Sequence, residues 1–320
     1  MVDLEMNERA WAVADRSIDR SRELRIVANT LSCGARVIDA GVNAQGGLGA
    51  GRLLAELCMG GLGRVEYVPL TIGGEAWSGV QVWTDHPSES CMASQYAGWA
   101  INPDGSYFAM GSGPLRAKAR VEKELFEKLA YSENAARGVL VLEGRALPTD
   151  DVAMWVARKA DVPPGGITFA IAPTASLAGG VQIVARTIET GLHKMDTLGF
   201  DVSRVVSAIG TAPLPPVAKN DLRAIGRTND CVLYGGQVRY AVRGTDEELA
   251  QLAERLPSST SPDYGTPFYD VFKRYDNDFY KIDPMLFSPA EVWLTSTATG
   301  RTFHAGQSNV DVLRASLFGG

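Results

Sequence analysis

Apolar positions recur at helical spacing through residues 3–30, where Leu4, Ala10, Val13, Ile18, Leu24 and Val27 line one face, so the spacing predicts one long amphipathic helix. A short strand running into a turn follows at Ala35-Arg-Val-Ile-Asp-Ala-Gly41. The Gly46–Gly51 run precedes a helix over Arg52–Cys58, which Met59-Gly-Gly-Leu-Gly63 ends as glycine commonly does. Strands at Arg64–Thr71 and Trp77–Thr84 read as a hairpin across Gly73-Gly74. Pro114–Tyr131 reads as a helix with a solvated face of mixed charge, Gly138–Glu143 as an apolar strand, and Asp150–Lys159 as a helix opened by acids. Ile167–Ala172 reads as a buried strand. Further on, the pattern predicts a helix over Asp201–Ile209, a hairpin of Asp230–Tyr234 with Gln237–Arg243 across Gly235-Gly236, and a helix over Asp246–Arg255.

Strands alternate with helices, which places the chain in the α/β (α+β) class with more than one sheet. Asp161-Val-Pro-Pro-Gly-Gly166 is the strongest internal break. It sets domains of 1–160 and 161–320, with a discontinuous domain built from both termini as the alternative.

The segment after the buried strand carries the strongest chemical signal. Ala172-Pro-Thr-Ala-Ser-Leu-Ala-Gly-Gly180 leads into Val181–Met195, where a helical reading puts Val184, Ile188, Leu192 and Met195 on one apolar stripe. Gln182, Arg186, Glu189 and His193 fall on a second stripe. An Arg and a Glu one turn apart are either a surface ion pair, worth a few tenths of a kcal/mol, or an acid/base unit tuned by the cation. Spacing alone leaves both readings open.

Composition narrows the classes. The 320 residues carry a net charge of −6, which argues against nucleic acid as the main partner. No apolar run approaches transmembrane length, and the polar start Met1-Val-Asp-Leu-Glu reads as neither secretion signal nor transit peptide, so the expected location is the cytoplasm. Three histidines and four scattered cysteines argue against a metal site and point to free thiols. The basic residues are Arg-rich, 23 against 8 Lys.

Several loops hold candidate groups. The Gly46–Gly51 run departs from a dinucleotide fingerprint, because Leu48 stands where the middle glycine belongs and Asp39 precedes the loop. The stretch from Asp85 to Trp99 is dense in hydrogen-bonding groups among small residues, with His86 read as structural. Ser112, amid glycines before a helix start, suits either an anion cradle or a plain helix start with Pro114 in the first turn. Gly226-Arg-Thr-Asn-Asp230 reads as a turn able to bond a heterocycle edge. Pro262–Pro267 and Asp278–Pro284 read as structural loops.

Together these segments resemble the methenyltetrahydromethanopterin cyclohydrolase family over nearly the whole chain. The resemblance rests on Asp39-Ala-Gly-Val-Asn43, Cys58-Met-Gly-Gly-Leu62, Thr84-Asp-His-Pro87, Ser94-Gln95, Ala97-Gly-Trp99 and Tyr107–Pro114. Ala172–Ser176, Val181-Gln-Ile183, Arg186-x-x-Glu189, Thr228-Asn-Asp230, Asp263-Tyr-Gly265 and Phe279–Pro284 continue it. It implies two mixed α/β domains enclosing a deep pocket, a fold other than Rossmann, assembled as a homotrimer. It implies reversible hydrolysis of the methenyl bridge of a tetrahydromethanopterin-type carrier, as substrate, to the N5-formyl compound, with no cofactor or metal required.

By the same resemblance Glu189 and Arg186 sit beside the reacting carbon, and Ser94, Gln95, Tyr96, Ser112, Asn229 and Asp230 contact substrate. Many archaeal relatives have Lys where this chain has Tyr96. The lost cation and the Arg-rich composition suggest a bacterial one-carbon oxidation pathway, formaldehyde oxidation in methylotrophy, whose carrier lacks the terminal phosphate. A formyl-pterin hydrolase on the same scaffold and a non-catalytic pterin-binding subunit are the alternatives.

Overall fold

A computed structural model describes residues 4–96 and 98–319, without the side chain of Tyr280. Asp3 of the first helical reading and Ala97 of the Ala97–Trp99 segment lie outside the described residues. In chain order the elements are α1 (Met6–Asp19), α2 (Ser21–Leu24), β1 (Val27–Thr30), β2 (Arg36–Asp39), α3 (Leu48–Cys58), β3 (Gly63–Ile72) and β4 (Glu75–Thr84). A π-helix, Ser88–Gln95, is followed by β5 (Trp99–Ile101), β6 (Ala109–Ser112), α4 (Leu115–Ala119), α5 (Lys123–Leu129), β7 (Gly138–Glu143), α6 (Asp150–Ala160) and β8 (Ile167–Ala172). The chain continues through α7 (Leu177–Val184), α8 (Thr187–Thr197), β9 (Val205–Pro213), α9 (Asp221–Gly235), β10 (Gln237–Val242) and α10 (Asp246–Arg255). It closes with α11 (Phe268–Arg274), β11 (Glu291–Ser296), β12 (Thr302–Gly306) and α12 (Val310–Phe318).

These elements form two compact units, one of Met1–Gly63 with Glu89–Gln182, the other of Arg64–Ser88 with Ile183–Gly320. Each holds one six-stranded mixed sheet, so the α/β class with two sheets is observed.

In the first unit the strand order is β1-β2-β8-β7-β6-β5, with β2, β8 and β7 parallel and the flanking pairs antiparallel. Both faces are covered. Leu140, Leu142, Phe169 and Ile171 pack with Val152, Val156 and Ala160 of α6. Val139, Val141 and Ala170 turn the other way onto Ala10, Ala14, Leu54 and Leu57 of α1 and α3. A strand buried on both faces reads as a continuous apolar run, which is why β7 and β8 are legible from sequence. At Gly51 a side-chain carbon would sit 2.6 Å from the Val181 Cβ, so glycine there lets α3 and α7 approach.

In the second unit the order is β12-β11-β10-β9-β4-β3, antiparallel at β12/β11, β10/β9 and β9/β4 and parallel at β11/β10. The β3–β4 turn is Gly73-Gly74, both at positive φ (59° and 80°), as the hairpin reading requires. Val238, Tyr240, Val292 and Leu294 are buried on the helix-covered face. On the opposite face a row crosses five strands: Trp83, Ile209, Arg239, Trp293 and His304. Arg239 lies 4.0 Å from the centroid of the Trp293 ring, which stacks on His304 at 4.7 Å.

Several expectations are corrected. The helix expected over 3–30 breaks at Arg20 (φ −105°), resumes only for Ser21–Leu24 and ends at Arg25 in the left-handed conformation (φ 55°), after which the β-branched Val27 and Thr30 pair with Asp39 and Arg36. The helix expected over 114–131 is two, parted at Arg120 (φ 48°). Asp201 does open a helical turn by accepting the Ser203 N–H, but the turn is one short 3₁₀ stretch and Val205–Pro213 is strand. Asp230–Tyr234 is helical rather than a hairpin arm. Gly235 meets a close approach there, since a Cβ would fall 2.7 Å from the Pro213 ring.

Candidate functional site

In the first unit the segment holding Ser94 and Gln95 is the π-helix, a rare geometry closed here by the Tyr96 N–H on the Cys91 carbonyl at 2.9 Å. Ser94 is buried and donates its hydroxyl to the Cys58 carbonyl at 2.5 Å, while its own carbonyl accepts the Gly113 N–H at 2.8 Å. Gly113 has φ 104°, a conformation that favours glycine, and this lets its N–H reach back to the π-helix. Gln95 is fully buried and Tyr96 half-buried.

The Ser112 hydroxyl lies 3.2 Å from the Cys58 thiol, so Ser94 and Ser112 converge on one residue. The Pro114 start of α4 has no side-chain cap. The Cys58 sulfur is 3.6 Å from Gln182 Oε1, and Gln182 Nε2 donates to Glu143 Oε1 at 2.6 Å. Glu143 escaped the sequence reading as the last residue of an apolar strand. The available signal was its place at the carboxyl end of a parallel strand, where α/β sheets gather ligand-binding groups. Two strands away, at the end of β2, Asp39 accepts four backbone N–H groups, from Gly41, Val42, Asn43 and Ala44, at 2.7–3.0 Å. That carboxylate shapes the Asp39–Asn43 loop.

In the second unit Arg186 and Glu189 lie at the start of α8. The expected continuous helix is interrupted, α7 ending at Val184 and α8 starting at Thr187 with Arg186 as its N-cap. Both side chains are buried, Arg186 at 6% exposure and Glu189 at 5%, which rules out a fully exposed surface pair. The backbone N–H of Arg186, which a capping-box glutamate would take, is given to the Ile183 carbonyl at 3.0 Å. Ile188, Leu192 and Met195 are fully buried, as the apolar stripe predicts. Tyr240 donates its hydroxyl to the Ile188 carbonyl at 3.0 Å, and Gly191 leaves it room. Further along α8, burial pushes the His193 imidazole below its usual value, with Asp196 opposing.

Asn229 and Asp230 lie inside α9 rather than in a turn. Asn229 Nδ2 donates to the Ile225 carbonyl at 2.8 Å, and Asp230 accepts the Phe268 N–H of α11 at 2.8 Å. Asp230 is fully buried, and that burial pushes its carboxyl up to about 7. His86 is half-buried, with its backbone N–H on the Thr84 hydroxyl. The four cysteines are free thiols. Among the described residues no group of three or more His, Cys, Asp or Glu is arranged to hold a metal.

A profile of the Cyclohydrolase (MCH) family matches residues 5–317. The chain belongs to that family. Membership makes it an enzyme of the hydrolase class. A protein of Methylobacillus flagellatus named methenyltetrahydromethanopterin cyclohydrolase is 48% identical over 301 residues, 94% of this chain and 91% of the relative. Proteins of the same name from Rhodopirellula baltica and Methanococcoides burtonii are 47% and 40% identical. The first of these alignments covers 89% of this chain and 86% of the relative, and the second covers 98% of each.

Proposed function

We propose that this cyclohydrolase reversibly hydrolyses a 5,10-methenyl-tetrahydromethanopterin-type carrier to its N5-formyl form, with Glu189 moving the proton and Arg186 tuning it. Two lines support this reading: the names of the relatives, and the burial of an Arg and a Glu at the start of one helix. The methenyl carbon bridges two nitrogens as a delocalised cation and is electrophilic in the ground state. A buried carboxylate beside that carbon accepts a proton as water adds. The C–N10 bond then breaks, Glu189 returns the proton to N10, and the carbinol proton leaves to solvent as the formyl carbonyl forms. Burial raises a carboxyl pKa and a nearby guanidinium lowers it, which keeps such a group within range of both tasks.

The same resemblance leads us to propose that Ser94, Gln95, Tyr96, Ser112, Asn229 and Asp230 recognise the carrier, with no added cofactor. It also supports a cytoplasmic homotrimer in a one-carbon oxidation pathway that uses the carrier without terminal phosphate. The test is loss of the methenyl absorbance on both carriers in the presence of a chelator, with formate assayed in parallel. Absorbance loss without formate supports the cyclohydrolase. Formate release identifies a formyl hydrolase, and binding without turnover a carrier-holding subunit.

A further inference from the structure

Arg116, on α4 of the first unit, is completely shielded from solvent. A guanidinium removed from water is strongly unfavourable unless its charge and donors are met. Its Nη2 donates to Glu122 Oε2 at 2.6 Å, and Glu122 itself is 27% exposed. Its Nη1 faces the carbonyls of Met92, Ala93 and Ser94 at 3.4, 3.4 and 3.5 Å. These carbonyls close the π-helix, where the helix dipole leaves partial negative charge that a cation complements.

The same guanidinium lies 5.2 Å from the Tyr96 ring centroid and 5.7 Å from that of Phe126, within cation–π range. Gly98 completes the arrangement, since a Cβ there would fall 1.5 Å from Glu122 Oε1. One buried cation thus touches the backbone just before Gln95 and the ring just after it.

We propose that Arg116, braced by Glu122, is a positioning residue for carrier recognition. It fixes the end of the π-helix and the plane of the half-buried Tyr96 ring, and so holds that ring as a stacking surface for a flat heterocycle. This rests on the reading of the chain as a pterin-carrier cyclohydrolase. It also gives Tyr96 a reason: a lysine at that position would bring a second cation toward the buried guanidinium, and like charges in a desolvated site repel.

The experiment measures initial rates against carrier concentration, and direct carrier binding by intrinsic fluorescence, for the full chain and its Arg116→Met, Arg116→Lys and Glu122→Gln variants. We expect KM and carrier Kd to rise about tenfold or more in Arg116→Met and Glu122→Gln, with kcat within about threefold and partial recovery in Arg116→Lys. Adding Tyr96→Leu to Arg116→Met should cost little beyond the larger single effect, because both remove one interaction. KM and Kd within twofold of the parent, or a fall in kcat at unchanged KM, overturns the proposal. If Arg116→Met fails to fold, Glu122→Gln at the half-buried partner decides on the same terms. A parent chain that binds carrier without turnover sinks the cyclohydrolase reading, while the Kd values still judge Arg116. A parent that binds no carrier sinks both.

Discussion

Lys194 donates its ammonium to the Pro257 carbonyl at 2.7 Å, and the same nitrogen reaches the Met285 carbonyl at 2.6 Å and the Thr260 hydroxyl at 2.8 Å. The three N–H donors of an ammonium match three acceptors. Lys194 is fully buried on α8, which carries Glu189 in its first turn, so this contact anchors the element that holds the proposed acid/base group.

Replacing Lys194 with Met leaves the buried Pro257 carbonyl and the partly buried Met285 carbonyl without that donor and should cost about 2–5 kcal/mol of stability. Urea unfolding checks the loss. Its pH dependence is specific as well. Burial pushes the Lys194 ammonium down to about 7, with Asp283 opposing, against about 10.4 in an unfolded chain. Between those values the unfolded chain holds more protons, so stability should rise with pH from about 7 to about 10.4. In Lys194→Met that rise should disappear.

Asp230 should act in the opposite sense and in a lower window. Its carboxyl is pushed up to about 7 by burial, with Asp270 adding and contacts from Ser316 and the Phe268 N–H opposing. The folded state therefore holds the extra proton between about 4 and about 7, and stability contributed by this group is lost as pH rises through that range. Asp230→Asn keeps an oxygen for the Phe268 N–H and should flatten the slope. Unfolding curves at pH 5 and pH 8 measure it, and an unchanged slope would remove Asp230 as its source.

Arg186→Gln should move the acid limb of the kcat/KM profile to higher pH, because loss of a neighbouring cation raises a carboxyl pKa. The rate at the optimum should fall by about tenfold or more. An acid limb that stays in place would mean that Arg186 does not tune the group that titrates there.

The two sheets differ in how openly the chain announces them. β7 and β8 are covered on both faces, and their unbroken apolar runs mark them plainly. β9 escapes because Asp201 supplies a genuine helix-start signal, spent on a single turn before Val205-Val206 extends. Gly235-Gly236 misleads in the same way. A glycine pair fits a hairpin turn and a close approach of backbone to Pro213 equally well, and only packing separates the two. The membership of β3 and β4 in the second unit depends on the pairing of Val80 with Ala212 and Trp83 with Ile209, long-range contacts that no local pattern encodes.

The candidate site shows the same division. The apolar stripe of α8 fixes where Arg186 and Glu189 begin, and both prove buried. The Gln182–Glu143 bond joins positions 39 residues apart, and the Arg116 contacts with the π-helix span 22 to 24, so spacing rules do not reach them.

The most direct test of the account is the turnover of Glu189→Gln measured beside its carrier binding. The amide keeps the shape but accepts no proton, so kcat should fall about 10²–10⁴-fold while carrier Kd stays within a few-fold of the parent. Near-normal turnover in a folded Glu189→Gln enzyme would contradict the assignment of Glu189 as the proton-moving group.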